Sequence, residues 1–279
     1  MPTAPMPPLP VLQAVDGRLT PSLGEPWNNH TALLMARLSW LAYAPLSEIS
    51  PAIAPAGFDV VAAFSADGLF AFLAVGPTMA TLVFRGTANL GNWGLNLRSE
   101  RIGLPEYPGI QVHAGFYGAW ADMAGTLAGA IAAHVPESLP LYLTGHSLGA
   151  AIAQLAGIEL KCPNLAAIYT FGSPRLATLG FDKVLPTHHR VVHQWDLVPA
   201  VPPTSPKGYL HAGDPRLLDG LKPEWAQRRD RDLVPRVLAD LFSLLAFPFV
   251  GQISSIGDHM IWTYVASLEA IVAAELAAA

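Results

Sequence analysis

The chain has 279 residues, of which 52% are hydrophobic and only 13% charged, with a formal net charge of -5. The charged share is about half that of an ordinary soluble domain, and the apolar excess excludes an intrinsically disordered chain. Lys and Arg total 16 against 21 Asp and Glu, so no basic stripe is available to neutralise phosphates, and nucleic acid is excluded as a partner. The lone Cys162 permits neither an intramolecular disulfide framework nor a thiolate metal cluster. The first residues, MPTAPMPPLP, lack a basic stretch followed by an apolar one. No run reaches about 18 continuous apolar residues, so no integral membrane segment is expected. The expected location is cytoplasmic, or secreted by a route without a recognisable signal peptide. The oligomeric state is not legible.

Residues 1–26 are Pro-rich and aperiodic and read as an extended or disordered arm. The rest, 27–279, is long enough for one α/β domain with a sizeable core. In TALLMARLSWLAYA, Thr31 to Ala44, apolar residues recur at helical spacing. Val60 to Phe64 and Phe70 to Val75 read as strands joined through Asp67-Gly68, a hairpin signal. Thr81 to Phe84 is a further strand, and Phe116 to Val135 a long Ala-rich helix ended by Pro136. Then come a strand (Leu139 to Leu143), a helix (Leu148 to Leu160) and two strands (Leu165 to Phe171, His189 to Gln194). Leu233 to about Phe247 is apolar, broken by Pro248, and Met260 to Leu276 is helix-like. Strands of continuous apolar character alternating with helices indicate a mixed or parallel sheet flanked by helices.

The strongest motif lies in LYLTGHSLGA, Leu141 to Ala150, which contains G-x-S-x-G between an apolar strand and an Ala-rich helix. A sharp strand-to-helix turn needs Gly145 and Gly149 to relieve crowding around a strained Ser147. The serine Oγ then stands at the sheet edge, and the backbone N–H of Leu148 can face a developing oxyanion. Such a nucleophile needs a base and an acid. Asp196 directly follows the strand ending at Gln194, where open-sheet sites form, and His259 precedes the last helix. His211 is the rival base. Asp214, Asp219 and Asp258 are the remaining acids. His193 is too near Asp196 in sequence for an easy triad, and His146 points away from the turn, so both read as structural.

These residues resemble the class 3 lipases, the fungal-lipase-like branch of the α/β-hydrolases, over roughly residues 29–270. VFRGT (Val83 to Thr87) is similar to the family's oxyanion segment, which gives Thr87 the role of oxyanion donor beside Leu148. Trp93 resembles the tryptophan of the lid region. Asn96 stands where the family usually has an Asp. HAGF (His113 to Phe116), GHSLGA, FGSPR (Phe171 to Arg175), DLVPAVPP (Asp196 to Pro203), GYLHAG (Gly208 to Gly213) and DHMIW follow in the family's order. In that pattern His113 is structural and His259 takes the catalytic position.

The resemblance implies an α/β-hydrolase fold and a Ser147, Asp196, His259 triad acting without cofactor or metal. It also implies a serine carboxylic-ester hydrolase of acyl lipids, first of all a triacylglycerol lipase, working on acylglycerol at a lipid–water interface. A phospholipase A1 or short-chain carboxylesterase would use the same triad, and a non-catalytic lipid-binding or interaction module is the alternative of another class. A lid near 88–97 and an apolar cap or wall near 233–250, with Arg228, Arg229, Arg231 and Arg236 on its rim, complete the expectation.

Overall fold

The computed structural model describes residues 7–13, 21–86, 100–193, 196, 198–204, 208–218 and 259–278. Helix α1 (Asn29–Leu41) starts where the Asn28 side chain accepts the N–H groups of His30 and Thr31, at 2.8 and 3.0 Å. A short helix, α2 (Leu46–Ile53), follows; Pro45 before it and Pro51 inside it hide it from a periodicity reading. Strands β1 (Asp59–Ala66) and β2 (Leu69–Val75) form the expected antiparallel hairpin. Its turn residues Asp67 and Gly68 both have positive φ, 49° and 80°.

After β3 (Ala80–Phe84), a two-stranded ribbon of β4 (Arg101–Gly103) and β5 (Gln111–His113) leads into the long helix α3 (Ala114–His134). Strand β6 (Leu141–His146), helix α4 (Leu148–Glu159), β7 (Leu165–Phe171), β8 (His188–Val192), β9 (Asp214–Leu217) and helix α5 (Ile261–Ala278) complete the described strands and α-helices. The main sheet runs β1-β2-β3-β6-β7-β8-β9. Its first two pairings are antiparallel, and every pairing from β3 to β9 is parallel. This is the mixed, mostly parallel α/β sheet that the apolar strands imply.

Period-two alternation divides the core between the two faces. Phe70 and Phe72 of β2, Val83 of β3, Tyr142 of β6, and Tyr169 and Phe171 of β7 pack with α1 and α5. Leu73, Leu82, Phe84, Leu141, Leu143 and Ile168 face the other way, into α3 and α4. Both faces are covered, so the strand runs are continuously apolar rather than alternating. By length and composition α5 could cross a membrane. Its Ile261, Tyr264, Val265, Leu268 and Val272 are nonetheless buried in the core, and its Glu269 meets Arg37 of α1 at 2.7 Å.

Parts of the Pro-rich arm lie against this body. Leu12 is 1% exposed and its N–H donates to Ala52 O. Glu25 is buried, accepts the Thr31 hydroxyl at 2.7 Å and the Tyr142 hydroxyl, and offers its backbone carbonyl to His189 Nε2. The described parts of the arm thereby reach α1, α2, β6 and β8. The segments 88–97 and 233–250, expected as lid and wall, lie outside the described residues, together with Thr87, Trp93, Asn96, Asp219 and Asp258.

Candidate active site

Parallel strands aim their C-terminal ends at one edge of the sheet, and the site assembles there. Ser147 occupies the single-residue turn between β6 and α4, with φ 58° and ψ −126°. That backbone is strained for a residue with a Cβ. Close packing enforces it. A Cβ on Gly145 would collide with the backbone of Gly149, and one on Gly149 with the backbone of Phe84 in the neighbouring strand. The Ser147 N–H is tied to Phe171 O at 3.0 Å, at the end of β7. Its Oγ is buried and has no hydrogen-bond partner among the described residues. Leu148 opens α4, so its N–H is one of the first-turn donors that have no intrahelical acceptor.

Asp196 and His259 meet beside this turn. His259 Nδ1 lies 2.8 Å from Asp196 Oδ2, with both side chains almost fully buried. Asp196 Oδ1 accepts the Val198 N–H at 2.9 Å, and Oδ2 also accepts the Tyr264 hydroxyl at 2.5 Å. A carboxylate must accept, so His259 carries its proton on Nδ1 and leaves Nε2 as the basic nitrogen. That Nε2 is buried without a hydrogen-bond partner among the described residues. The two atoms that a proton transfer would join, Ser147 Oγ and His259 Nε2, are thus both uncommitted. Gly172 lies between the strand ends, with φ 57°. A Cβ there would come within 2.6 Å of Asp196 Oδ2 and 3.0 Å of His259 Nδ1, so only glycine leaves room for the acid–base pair.

The remaining histidines separate cleanly. His146 Nε2 lies 2.6 Å from the His259 backbone carbonyl and Nδ1 lies 2.8 Å from the Tyr43 hydroxyl. The carbonyl partner makes Nε2 the donor, so Nδ1 accepts from Tyr43. Burial, and then the neighbouring His259, push the His146 imidazole well below its ordinary value and keep it neutral. Its ring lies 4.5 Å from that of His259, where a cation on His146 would oppose protonation of His259. Burial also raises the Tyr43 hydroxyl far above its ordinary value, so it remains a donor.

His211, the rival base, spends Nε2 on Pro199 O at 2.7 Å. Burial and then Arg190 lower it well below the usual range, and it clamps the acid loop instead of serving Ser147. Arg175 of the FGSPR segment grips the same loop, donating to Ala200 O and, at 3.0 Å, to Pro202 O. His193 donates its N–H to Tyr264 Oη at 3.1 Å. His113 caps α3 and stacks on Phe116 with centroids 4.1 Å apart. Asp214 lies on β9, opposite His189.

Gly86, the residue before Thr87, runs against the turn: a Cβ on it would lie 3.0 Å from Ser147 Cβ and would also meet the Tyr43 hydroxyl. Tyr43 and Tyr264 are site residues that sequence reading misses. The signal available is a tyrosine hydroxyl that must find a partner, in the turn just after α1 for Tyr43 and on the buried stripe of α5 for Tyr264. Among the described residues no group of three or more His, Cys, Asp or Glu could hold a metal.

The model of the family Lipase (class 3) matches residues 81–205. A lipase of Rhizomucor miehei is 32% identical over 165 residues, 54% of this chain and 45% of that protein. A chloroplastic phospholipase A(1) of Arabidopsis thaliana is 27% identical over 221 residues, 68% of this chain and 49% of that protein. The matched stretches thus span about half the length of these curated relatives. A solved triacylglycerol lipase, described as having a serine protease triad for its catalytic centre, superposes with a TM-score of 0.60 at 26% identity, over 67% of this chain and 79% of that one. Residues 81–205, which hold most of β3, the Ser147 turn and Asp196, are thus the stretch over which this chain is similar to the class 3 lipases.

Proposed function

We propose that the protein is a serine ester hydrolase of acyl lipids, with triacylglycerol as its first substrate. The observation that carries this reading is the strained Ser147, its Oγ uncommitted and buried, at the same strand edge as the Asp196–His259 pair. In this mechanism Ser147 Oγ attacks the ester carbonyl while His259 Nε2 takes its proton. Asp196 fixes the imidazole tautomer and stabilises its charged form. The tetrahedral oxyanion is held by the Leu148 N–H and by Thr87, and each such donor contributes on the order of 3 kcal/mol to the transition state. His259 then returns the proton to the leaving alcohol, the acyl group stays on Ser147, and water repeats the cycle. Long acyl chains suit the apolar composition, since each methylene taken from water contributes about 0.8 kcal/mol.

Phospholipase A1 activity is the second reading, favoured by the plant phospholipase that aligns with the larger share of this chain. One panel separates the two: triolein, phosphatidylcholine and a soluble short-chain ester, each with wild type and Ser147→Ala. Turnover of triolein above phosphatidylcholine, lost in the variant, is the expected result. Phosphatidylcholine turnover in excess would transfer the assignment to a phospholipase. Absence of all turnover, or its survival in the variant, would overturn the hydrolase reading.

A further inference from the structure

We propose that Tyr264 is a positioning residue of the acid–base pair, setting the charge and orientation of Asp196 through its hydroxyl. The inference rests on the hydrolase reading above and adds a group to its machinery. Tyr264 is fully buried, five residues after His259, in the second turn of α5. Its hydroxyl donates to Asp196 Oδ2 at 2.5 Å, the same oxygen that His259 Nδ1 approaches at 2.8 Å. The hydroxyl oxygen in turn accepts the His193 N–H at 3.1 Å, which fixes the direction of the O–H bond. The ring is held edge-on by Phe171 and His193, with centroids 6.1 and 5.8 Å away. A chain of donors therefore runs from the backbone just past β8, through Tyr264, into the carboxylate.

Physical chemistry gives this arrangement two effects. With Val198 N–H on Oδ1 and Tyr264 O–H on Oδ2, the carboxylate plane is pinned, and with it the direction from which His259 is held. A phenol donor on Oδ2 also withdraws part of the charge that Asp196 would otherwise present to an imidazolium. Without it, the pair binds a proton more tightly, whether on Asp196 or on His259. Both routes shift the loss of the free base to higher pH. Among the described residues, the other titratable and charged groups on this side are His193 beyond β8, neutral His146 from β6, Tyr43 behind His146, and Arg85 next to Tyr43 after β3.

The test variant is Tyr264→Phe, which keeps the ring and deletes the donor. Expected are a kcat about 10-fold lower with KM within about twofold, and an acidic limb of the kcat/KM profile moved up by about half a pH unit or more. A second readout needs no turnover: the His259 titration followed by NMR with labelled histidine in the Ser147→Ala background, where Tyr264→Phe moves the midpoint upward. Site-specific 3-fluorotyrosine at 264, a stronger donor of nearly the same shape, moves both readouts downward. It keeps the test decisive should the Phe variant fold poorly. Unmoved midpoints in both substitutions, or a lower Tm with an unchanged pH profile, would reduce Tyr264 to a packing residue and overturn the proposal. A wild-type protein without esterase activity would sink the hydrolase reading, while the NMR midpoint still reports on Tyr264.

Discussion

The two ends of the site are built on opposite principles. At the acid end, Asp196 accepts from His259, Tyr264 and the Val198 N–H, and its loop is clamped by Arg175 and His211. At the nucleophile end, Ser147 Oγ has no hydrogen-bond partner among the described residues, although it is buried and its backbone is strained. A buried hydroxyl without a partner costs free energy, and so does a residue held off the favoured backbone regions. The surplus of contacts at the acid end and the tight Gly145–Gly149 packing hold the unsatisfied serine in place. In the proposed mechanism, reactivity sits at the end that stability leaves unsupported.

That contrast can be broken from the supported side. Asp196→Asn keeps the shape but offers His259 Nδ1 a group that no longer fixes the tautomer, and kcat is expected to fall by about 10⁴-fold with little change in thermal midpoint. Gly172→Ala keeps every polar group and adds one methyl against Asp196 Oδ2 and His259, at a backbone angle that alanine resists. Displacing the pair by a fraction of an ångström is expected to reduce kcat/KM by about 10²-fold. Retained activity in either variant would mean that the acid end is less exacting than its contacts imply.

A smaller effect belongs to the layer beneath the site. Tyr43→Phe removes the donor to His146 Nδ1, which frees that imidazole to take a second proton beside His259. A drop in kcat of about 10-fold, growing steeper below neutral pH, is expected from a pH–rate series. A uniform loss across pH would instead indicate simple packing.

The smallest effect is on stability. Burial lowers His188 to about 3, and His146 and His211 are also depressed by burial. In the unfolded chain these groups bind protons at an ordinary histidine value, above their folded values. Their contribution to stability is therefore complete above about pH 6.5 and is lost progressively as pH falls toward the folded values. A thermal midpoint that declines steadily from pH 7 to pH 5 is expected, and a flat one would show these histidines to be charged in the fold.

How far the sequence carries depends on whether the physics is local. The Ser147 turn is legible because its strain must be met by glycines at fixed short spacing, and the Asp67-Gly68 hairpin because its two residues need positive φ. Asp196 and His259 are legible as a residue after a strand and one before a helix. Tyr264 is not, because its place in α5 coincides with the apolar stripe of Ile261, Val265 and Leu268, and nothing local marks its hydroxyl as aimed at Asp196. The docking of Glu25 on Tyr142 is hidden for a related reason: the partners lie 117 residues apart, and the acid stands in a Pro-rich arm with no periodicity. Helix α2 is masked by its own prolines. The pattern is consistent: what a turn or a strand end requires is written in neighbouring residues, whereas long-range hydrogen bonds are settled only by the assembled sheet.

The central claim is that Ser147 is the activated nucleophile. Intact-mass and peptide analysis after reaction with a fluorophosphonate probe tests it most directly. A single adduct on the peptide containing Ser147, abolished in Ser147→Ala and strongly slowed in Asp196→Asn, is the predicted result. Labelling that persists in Ser147→Ala, or none in intact wild type under conditions where a known serine hydrolase reacts fully, would contradict it.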